Sequence, residues 1–281
     1  MTKNKYIRIL VSFIRGIFAF VNIRYSNFFK KNIVIKEVDF KGDIPKKIHQ
    51  TYPDIVLPTE IQENIDSFKE RNPEWEYTLY NDQMALDYIT QHFPELVVYF
   101  QSINSKYGAA KADFFRYVLM YNEGGCYLDV KSTFTTPLDE LMDSSGGMVL
   151  SYWENKPGEE FESWGIYPDL KNPNGEFIQS YIFAPKGHPY LKAVIELVVK
   201  QIQNYSRIVH GVGRGGVVRL TGPIVFSKAI EPIVMLYPHR LVNIKQLGYV
   251  YSIYDNSGSH RQLFKNHYSD LTESIVTSCN S

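Results

Sequence analysis

Residues 6–25 read YIRILVSFIRGIFAFVNIRY, with Ile7, Leu10, Val11, Ile14, Phe18 and Val21 at helical spacing and Arg8, Ser12, Arg15 and Asn22 opposite them. Arg15 and Arg24 interrupt the apolar run, so a transmembrane span of about 20 apolar residues is not expected. The pattern predicts a basic amphipathic helix, either lying on an anionic membrane surface or packed on the core. A signal anchor is the further alternative; no small-residue cleavage site follows to suggest a signal peptide. Residues 46–50, KKIHQ, predict the first strand, opened by Pro45 and followed by the turn-prone Pro53-Asp54. A helix is expected over 59–70, where Ile61, Ile65 and Phe68 share one face and Thr59 stands near the N-cap. WEYTLY at 75–80 alternates like a strand, and MALDYITQHF after Asn81-Asp82 returns to helical spacing.

The clearest helical pattern runs over 105–122, SKYGAAKADFFRYVLMYN, and stops at Glu123-Gly124-Gly125. The apolar burst Cys126-Tyr127-Leu128 then reads as a buried strand with Asp129 at its end. Strands are also expected over 146–153 and 178–184, separated by a polar loop at 154–176, and a helix over 189–203. From LTGP at 220–223 onward the chain reads as short aromatic strands and loops. Strand, helix, strand, helix points to an α/β layer arrangement. The division expected is residues 1–40, an amphipathic helix and linker, followed by one catalytic domain over 41–281.

With 281 residues, 44% of them hydrophobic, the chain can bury one substantial core. Lys plus Arg and Asp plus Glu balance at 30 each, so no global basic field exists to hold nucleic acid. The basic residues that precede the first acid, Glu37, are instead gathered at the N-terminus, which favours a membrane-associated chain. The cytoplasmic face is the first expectation, and a Golgi or secretory membrane the alternative if the N-terminus acts as a signal anchor. Cys126 and Cys279 are too few and too far apart to suggest a disulfide scaffold or a zinc site.

Candidate chemistry centres on Asp113 and Arg116, three apart on one helix, and on Asp129 beyond the glycine turn. A helix, a tight turn and a returning strand could bring these groups into one cleft. A carboxylate there could hold Mg²⁺ or Mn²⁺ against a diphosphate, and arginine could grip sugar or phosphate oxygens. The alternative is a helix-surface ion pair with Asp129 merely capping a turn.

The segment Ala109 to Lys131, AAKADFFRYVLMYNEGGCYLDVK, resembles the glycosyltransferases with a DXD sugar-binding region, which include initiating mannosyltransferases and capsular polysaccharide enzymes. IPKKIHQTY at 44–52, NPEWEYTLYND at 72–82, APKGHPYL at 184–191 and the following LTGP resemble the same family in the same order. The resemblance implies a GT-A type nucleotide-sugar-binding α/β fold, a central mostly parallel, mixed sheet flanked by helices. It further implies a divalent cation, Mn²⁺ or Mg²⁺, and retention of anomeric configuration. By the same resemblance Asp113 and Arg116 contact the donor sugar and are catalytic together with Asp129, the first carboxylate of the motif. Tyr127 borders the donor pocket, and the stretch His49-Gln50-Thr51-Tyr52 lies where the nucleotide base rests, Tyr52 as a stacking platform or a core aromatic.

One departure matters. The third motif position is normally acidic, whereas here the triplet is Asp129-Val130-Lys131. Protonated lysine has no acceptor for a cation. Lys131 either binds the diphosphate directly or points away, leaving Asp129 to share the metal with a later residue; His260 and His267 are the candidates. The Gly-rich stretch HGVGRGG at 210–216 reads as a mobile loop beside the donor or acceptor, with a plain surface loop as the alternative; Asp169 and Glu176 read as solvated loop carboxylates, with contact to an acceptor sugar as the alternative. The function expected is transfer of a hexose from a nucleotide-sugar donor to a glycan or lipid-linked acceptor. A nucleotide-sugar hydrolase and a degenerate carbohydrate-binding scaffold are the competing readings.

Overall fold

The computed structural model describes residues 33–142, 146–254 and 268–277. The chain opens with β1 (Lys47–Thr51), α1 (Thr59–Arg71), β2 (Glu76–Tyr80) and α2 (Asp82–His92), the alternation that the hydrophobic pattern predicts. Asn81 caps α2 by accepting from Met84 N, which explains why that helix starts before its first apolar residue. A short helical turn at Pro94–Leu96 and α3 (Val97–Ser102) lead to α4 (Gly108–Glu123) and β3 (Gly125–Leu128). Then follow β4 (Thr133–Phe134), α5 (Leu138–Leu141), β5 (Met148–Leu150), β6 (Tyr181–Ala184), α6 (Pro189–Gln203), α7 (Gly213–Leu220), α8 (Pro223–Ile230), β7 (His239–Leu241) and β8 (Tyr249–Val250).

The main sheet has the order β2-β1-β3-β6-β5-β7, and β4 pairs with β8 in a second ribbon. β1 runs parallel to both β2 and β3, and β5 parallel to β7. β6 runs against both β3 and β5, so a single reversed strand interrupts an otherwise parallel sheet. Side-chain alternation divides the interior in two. Tyr127, Ile182 and Ala184 enter the core shared with α4, α6 and α8, while Cys126, Leu128, Tyr181 and Phe183 face the core shared with Phe68 of α1. This is the mixed, mostly parallel sheet flanked by helices that was expected, consistent with a GT-A arrangement.

α4 is buried along most of its length, from Asp113 to Asn122. Its end requires glycine: Gly124 and Gly125 have φ of 69° and 97°. A Cβ on Gly125 would lie 2.5 Å from Lys47 O of the neighbouring strand. The chain can therefore turn from helix to central strand in one step.

Two expectations change. The glycine-rich stretch at 210–216 is not simply a loop: α7 begins at Gly213, and α8 follows where strands and loops were expected. Gly213, Gly216, Val217 and Leu220 are buried at i, i+3, i+4 and i+7, so packing overrides a glycine penalty of about 1 kcal/mol per residue. Pro223 at the first turn of α8 fits that position because its missing N–H has no helical partner there.

Membrane association is also corrected. Among the described residues no helix is long and apolar enough to cross a membrane. The longest, α4, has 16 residues and carries Asp113 and Arg116 in its buried length. The segment 6–25, which prompted the expectation, lies outside the described residues.

Candidate active site

The site forms beyond the carboxyl ends of β1 and β3, where open α/β sheets gather ligands. Asp129 follows β3 directly, and its N–H donates to Ser180 O at 2.9 Å while Ser132 N–H closes the turn on Asp129 O at 2.8 Å. Asn64 of α1 reaches over and donates to Val130 O and Ser132 O, both at 3.0 Å. From the opposite side Ile253 N–H donates to Lys131 O at 2.8 Å, and Ser132 Oγ donates to Tyr251 O at 2.7 Å. The turn from 129 to 132 is thus fixed from three directions.

Asp113 and Arg116, one turn apart on α4, project to the same point. Arg116 Nη2 lies 3.2 Å from Asp113 Oδ1 and 3.2 Å from Asp129 Oδ1. Its Nη1 donates to both Gln179 O and Gln179 Oε1 at 2.9 Å. The guanidinium also sits 4.6 Å from the centre of the Tyr127 ring. Asp113 accepts from Gln179 Nε2 at 3.2 Å and from Thr221 Oγ1 at 3.1 Å. Tyr127 OH lies 3.3 Å from Asp129 Oδ1, as donor, and 2.9 Å from Thr51 Oγ1. Tyr117 OH donates to Gln179 Oε1 and Thr221 O, closing the network from beneath.

Burial governs the charges. Asp113 and Arg116 are each 5% exposed, whereas the Asp129 side chain keeps 24%. Burial pushes the Asp113 carboxyl up, against the pull of Arg116, Gln179 and Thr221. Burial works against the Arg116 charge, but Asp129, Tyr127 and Asp113 more than offset it. Burial likewise keeps the Tyr127 phenol protonated and able to donate. The result is a buried chain from Thr221 through Asp113 and Arg116 that surfaces at one carboxylate, Asp129.

The remaining expected residues are placed differently. His49 is buried, with Nε2 3.2 Å from Gly124 O, and burial pushes its imidazole down to about 4. Gln50 is buried too, and its Oε1 accepts from Tyr77 OH at 2.8 Å. Neither joins the Asp129 network; on β1 it is Thr51 that does. Tyr52 packs beside Ile61, Ile65 and Val130, next to the motif. Lys131 Nζ donates to Tyr251 OH at 2.8 Å and lies 4.1 Å from the centre of that ring. His260 and His267 lie outside the described residues. Gln179, Thr221, Asn64 and Tyr251 were not singled out by residue in the sequence. Thr51 lay within the stretch read as the end of the first strand, and Thr221 carried a signal as part of LTGP.

The cation can be tested against this donor set. Asp129 Oδ1 is engaged by Arg116 and Tyr127, and Lys131 has no lone pair to offer. Among the described residues no group of three or more His, Cys, Asp or Glu side chains could hold an ion. The set therefore fits Mg²⁺ or Mn²⁺ held by one carboxylate and completed by substrate phosphates, not a cage made by protein alone.

Residues 58–146 match the family described as the glycosyltransferase sugar-binding region containing the DXD motif. The chain is 33% identical over 99 residues to mannosyl phosphorylinositol ceramide synthase SUR1 of Saccharomyces cerevisiae, covering 35% of this chain and 25% of that one. It is 27% identical over 162 residues to inositol phosphoceramide mannosyltransferase 3 of Schizosaccharomyces pombe, covering 58% and 39%. Among solved structures it resembles the PaToxG glycosyltransferase at 17% identity and a TM-score of 0.46 over 81% of each chain. Residues 58–146 are thus similar to a glycosyltransferase sugar-binding region, and parts of the chain are similar to these two yeast proteins. Its matches span about a quarter to two-fifths of the length of these two relatives.

Proposed function

We propose that residues 41–281 form the catalytic domain of a retaining glycosyltransferase, which moves a hexose from a nucleoside-diphosphate donor to a hydroxyl of a glycan or lipid-linked acceptor. The observation that carries this reading is the chain of charge from buried Asp113 through Arg116 to the half-buried Asp129 carboxylate. Its preorganised donors and acceptors suit a hydroxyl-rich sugar attached to a diphosphate. One similar chain is named a mannosyl phosphorylinositol ceramide synthase and the other a mannosyltransferase, which makes mannose the first donor sugar to test.

In this reading Asp113 and Arg116 grip the donor sugar and Tyr127 borders its pocket. His49 and Gln50 shape the floor of the nucleotide site from buried positions, and Tyr52 beside the motif is the base platform. Lys131, steadied by Tyr251, places an ammonium two residues from Asp129 and offsets part of the diphosphate charge. A Mg²⁺ or Mn²⁺ ion, bound with Asp129 as its protein ligand, would supply the rest. The anomeric carbon loses its bond to the leaving phosphate oxygen and gains one to the acceptor oxygen on the same face. The acceptor's proton passes to the leaving diphosphate.

The test is binding and turnover of GDP-mannose and other UDP- and GDP-sugars by the purified chain, with and without Mn²⁺, beside Asp129→Ala and Lys131→Asp. Donor-specific turnover that Asp129→Ala abolishes is the expected result. Donor turnover that survives Asp129→Ala, or failure to bind any donor, refutes the assignment.

A further inference from the structure

Beyond Lys131, Tyr251 is the start of an aromatic corner that the proposed chemistry does not use. Its ring meets Trp164 at 5.1 Å between centroids and Trp153 at 5.4 Å, both nearly perpendicular. Trp153 and Trp164 are 5.3 Å apart, and Phe161 contacts them at 4.9 and 5.2 Å. Trp153 and Phe161 are buried, yet Trp164 keeps 38% of its surface exposed. An indole held by three aromatic neighbours is fixed in orientation before any ligand arrives.

The support beneath it is equally constrained. Trp153 Nε1 donates to Glu176 Oε1 at 2.8 Å, and Glu176 is only 6% exposed. A Cβ on Gly165 would fall 2.7 Å from Trp153 Cδ1 and 2.8 Å from Glu176 Cγ, so the residue after Trp164 is pressed onto this pair. On the other side Ser163 adopts φ 66°, a left-handed conformation that a non-glycine residue rarely takes. Strain before Trp164 and close packing after it set the direction of one exposed side chain. Such strain persists where the surroundings over-determine it and collects at ligand clamps.

We propose that the exposed surface of Trp164 is the acceptor subsite and that it takes a six-membered polyol ring, a pyranose or a cyclitol, stacked through its C–H face. The inference rests on the glycosyltransferase reading. Position supports it: Trp164 touches Tyr251, Tyr251 holds Lys131, and Lys131 is two residues from Asp129. Chemistry supports it as well. A polyol ring can place its apolar C–H face on an aromatic surface while its hydroxyls stay in water, and a fixed platform avoids the cost of ordering a mobile one.

The chain has three tryptophans, so isotope labelling of their indoles gives a spectrum that Trp164→Phe assigns directly. Methyl α-D-mannopyranoside and myo-inositol are the probes. The Trp164 resonance should move on titration with either probe, while Trp75, bonded to Asp139, stays in place. Trp164→Ala should weaken probe binding about tenfold, equivalent to roughly 1.4 kcal/mol, and Trp164→Phe less. The loss of probe affinity in Trp164→Ala should exceed any change in its affinity for GDP or UDP, which Trp164 reaches through Tyr251 and Lys131. An unmoved Trp164 resonance, or a probe affinity indifferent to Trp164→Ala, overturns the proposal; the titration of the unaltered chain decides it even if Trp164→Ala does not fold. Probe binding without any donor binding would sink the glycosyltransferase reading and leave the ring site standing. Donor turnover with no response at Trp164 would do the reverse.

Discussion

Replacing Arg116 by methionine removes the one cation between two carboxylates. The guanidinium is 5% exposed and makes two ion pairs at 3.2 Å and two hydrogen bonds to Gln179 at 2.9 Å. Asp129 is open enough for water to take over, but Asp113 is not. It keeps the Gln179 and Thr221 donors and loses its counter-charge. Breaking a buried pair from one side costs about 3–5 kcal/mol, chiefly because a charge is stranded. Here the loss should fall near the lower end, because two donors remain and because burial already pushes the Asp113 carboxyl up toward protonation. Urea unfolding monitored by tryptophan fluorescence, with an unchanged dependence on denaturant, should show Arg116→Met less stable by about 3 kcal/mol near neutral pH. The deficit should shrink as pH falls, since protonation removes the stranded charge. Adding Asp113→Asn should restore about 2 kcal/mol, because it removes the same charge chemically. A double variant no more stable than Arg116→Met would refute the idea that the stranded carboxylate sets the cost. A single variant within about 1 kcal/mol of the parent would refute the buried pair itself.

Burial pushes His49, His188 and His210 each down to about 4. Their folded values lie below the unfolded 6.5, so they favour folding above that value and lose it as pH falls toward 4. The loss is up to roughly 3 kcal/mol per histidine, seen as a falling urea midpoint; a midpoint flat over that window would contradict it. Glu176 titrates in the opposite sense, since burial raises it to about 7 and its contribution is present below 4.5 and lost as pH rises through 7. Glu176→Gln should therefore raise the melting temperature at about pH 8 and lose that advantage near pH 5; a pH-independent change would count against a buried ionisable carboxyl. Gly125→Ala should destabilise the chain by at least about 1–3 kcal/mol through φ strain alone, and its Cβ would press on Lys47 O; thermal unfolding matching the parent would argue against the tight turn.

Much of the scaffold can be read from one-dimensional patterns. Helices α1, α2 and α6 lie where their apolar spacing predicts, and Asp113, Arg116, Tyr127 and Asp129 do converge. Spacing on one helix, a glycine pair and a short strand leave Asp113, Arg116 and Asp129 either in one cleft or apart, and Tyr127 enters through the family resemblance alone. Gln179 could not be read that way: a lone glutamine before a strand has no signature until Arg116 is placed above it. Asn64 looks like any polar residue on a helix face, although it grips the motif backbone. Glu176 reads as a solvated loop carboxylate because its neighbours in sequence are polar. Its neighbours in space are Trp153 and Gly165. His49 belongs to a strand flanked on both sides by partners, so its imidazole is committed to Gly124 O. α7 was hidden because local glycine chemistry and long-range packing disagree, and packing prevails.

The clamp around the motif takes hold of Asp129 N, Val130 O, Lys131 O and Ser132 O, all of them main-chain atoms. The Lys131 side chain is outside that grip and, among the described residues, donates its hydrogen bond to Tyr251. Position 131 therefore behaves as a socket: Asn64 and Ile253 hold the turn through main-chain oxygens, and of the clamping neighbours Tyr251 is the one that also meets the side chain. Lysine can be exchanged there for an acidic or neutral residue without rebuilding the turn. Preference for cation or for donor charge could then drift through one codon while the fold, and the Asp113–Arg116–Asp129 chain, stay as they are.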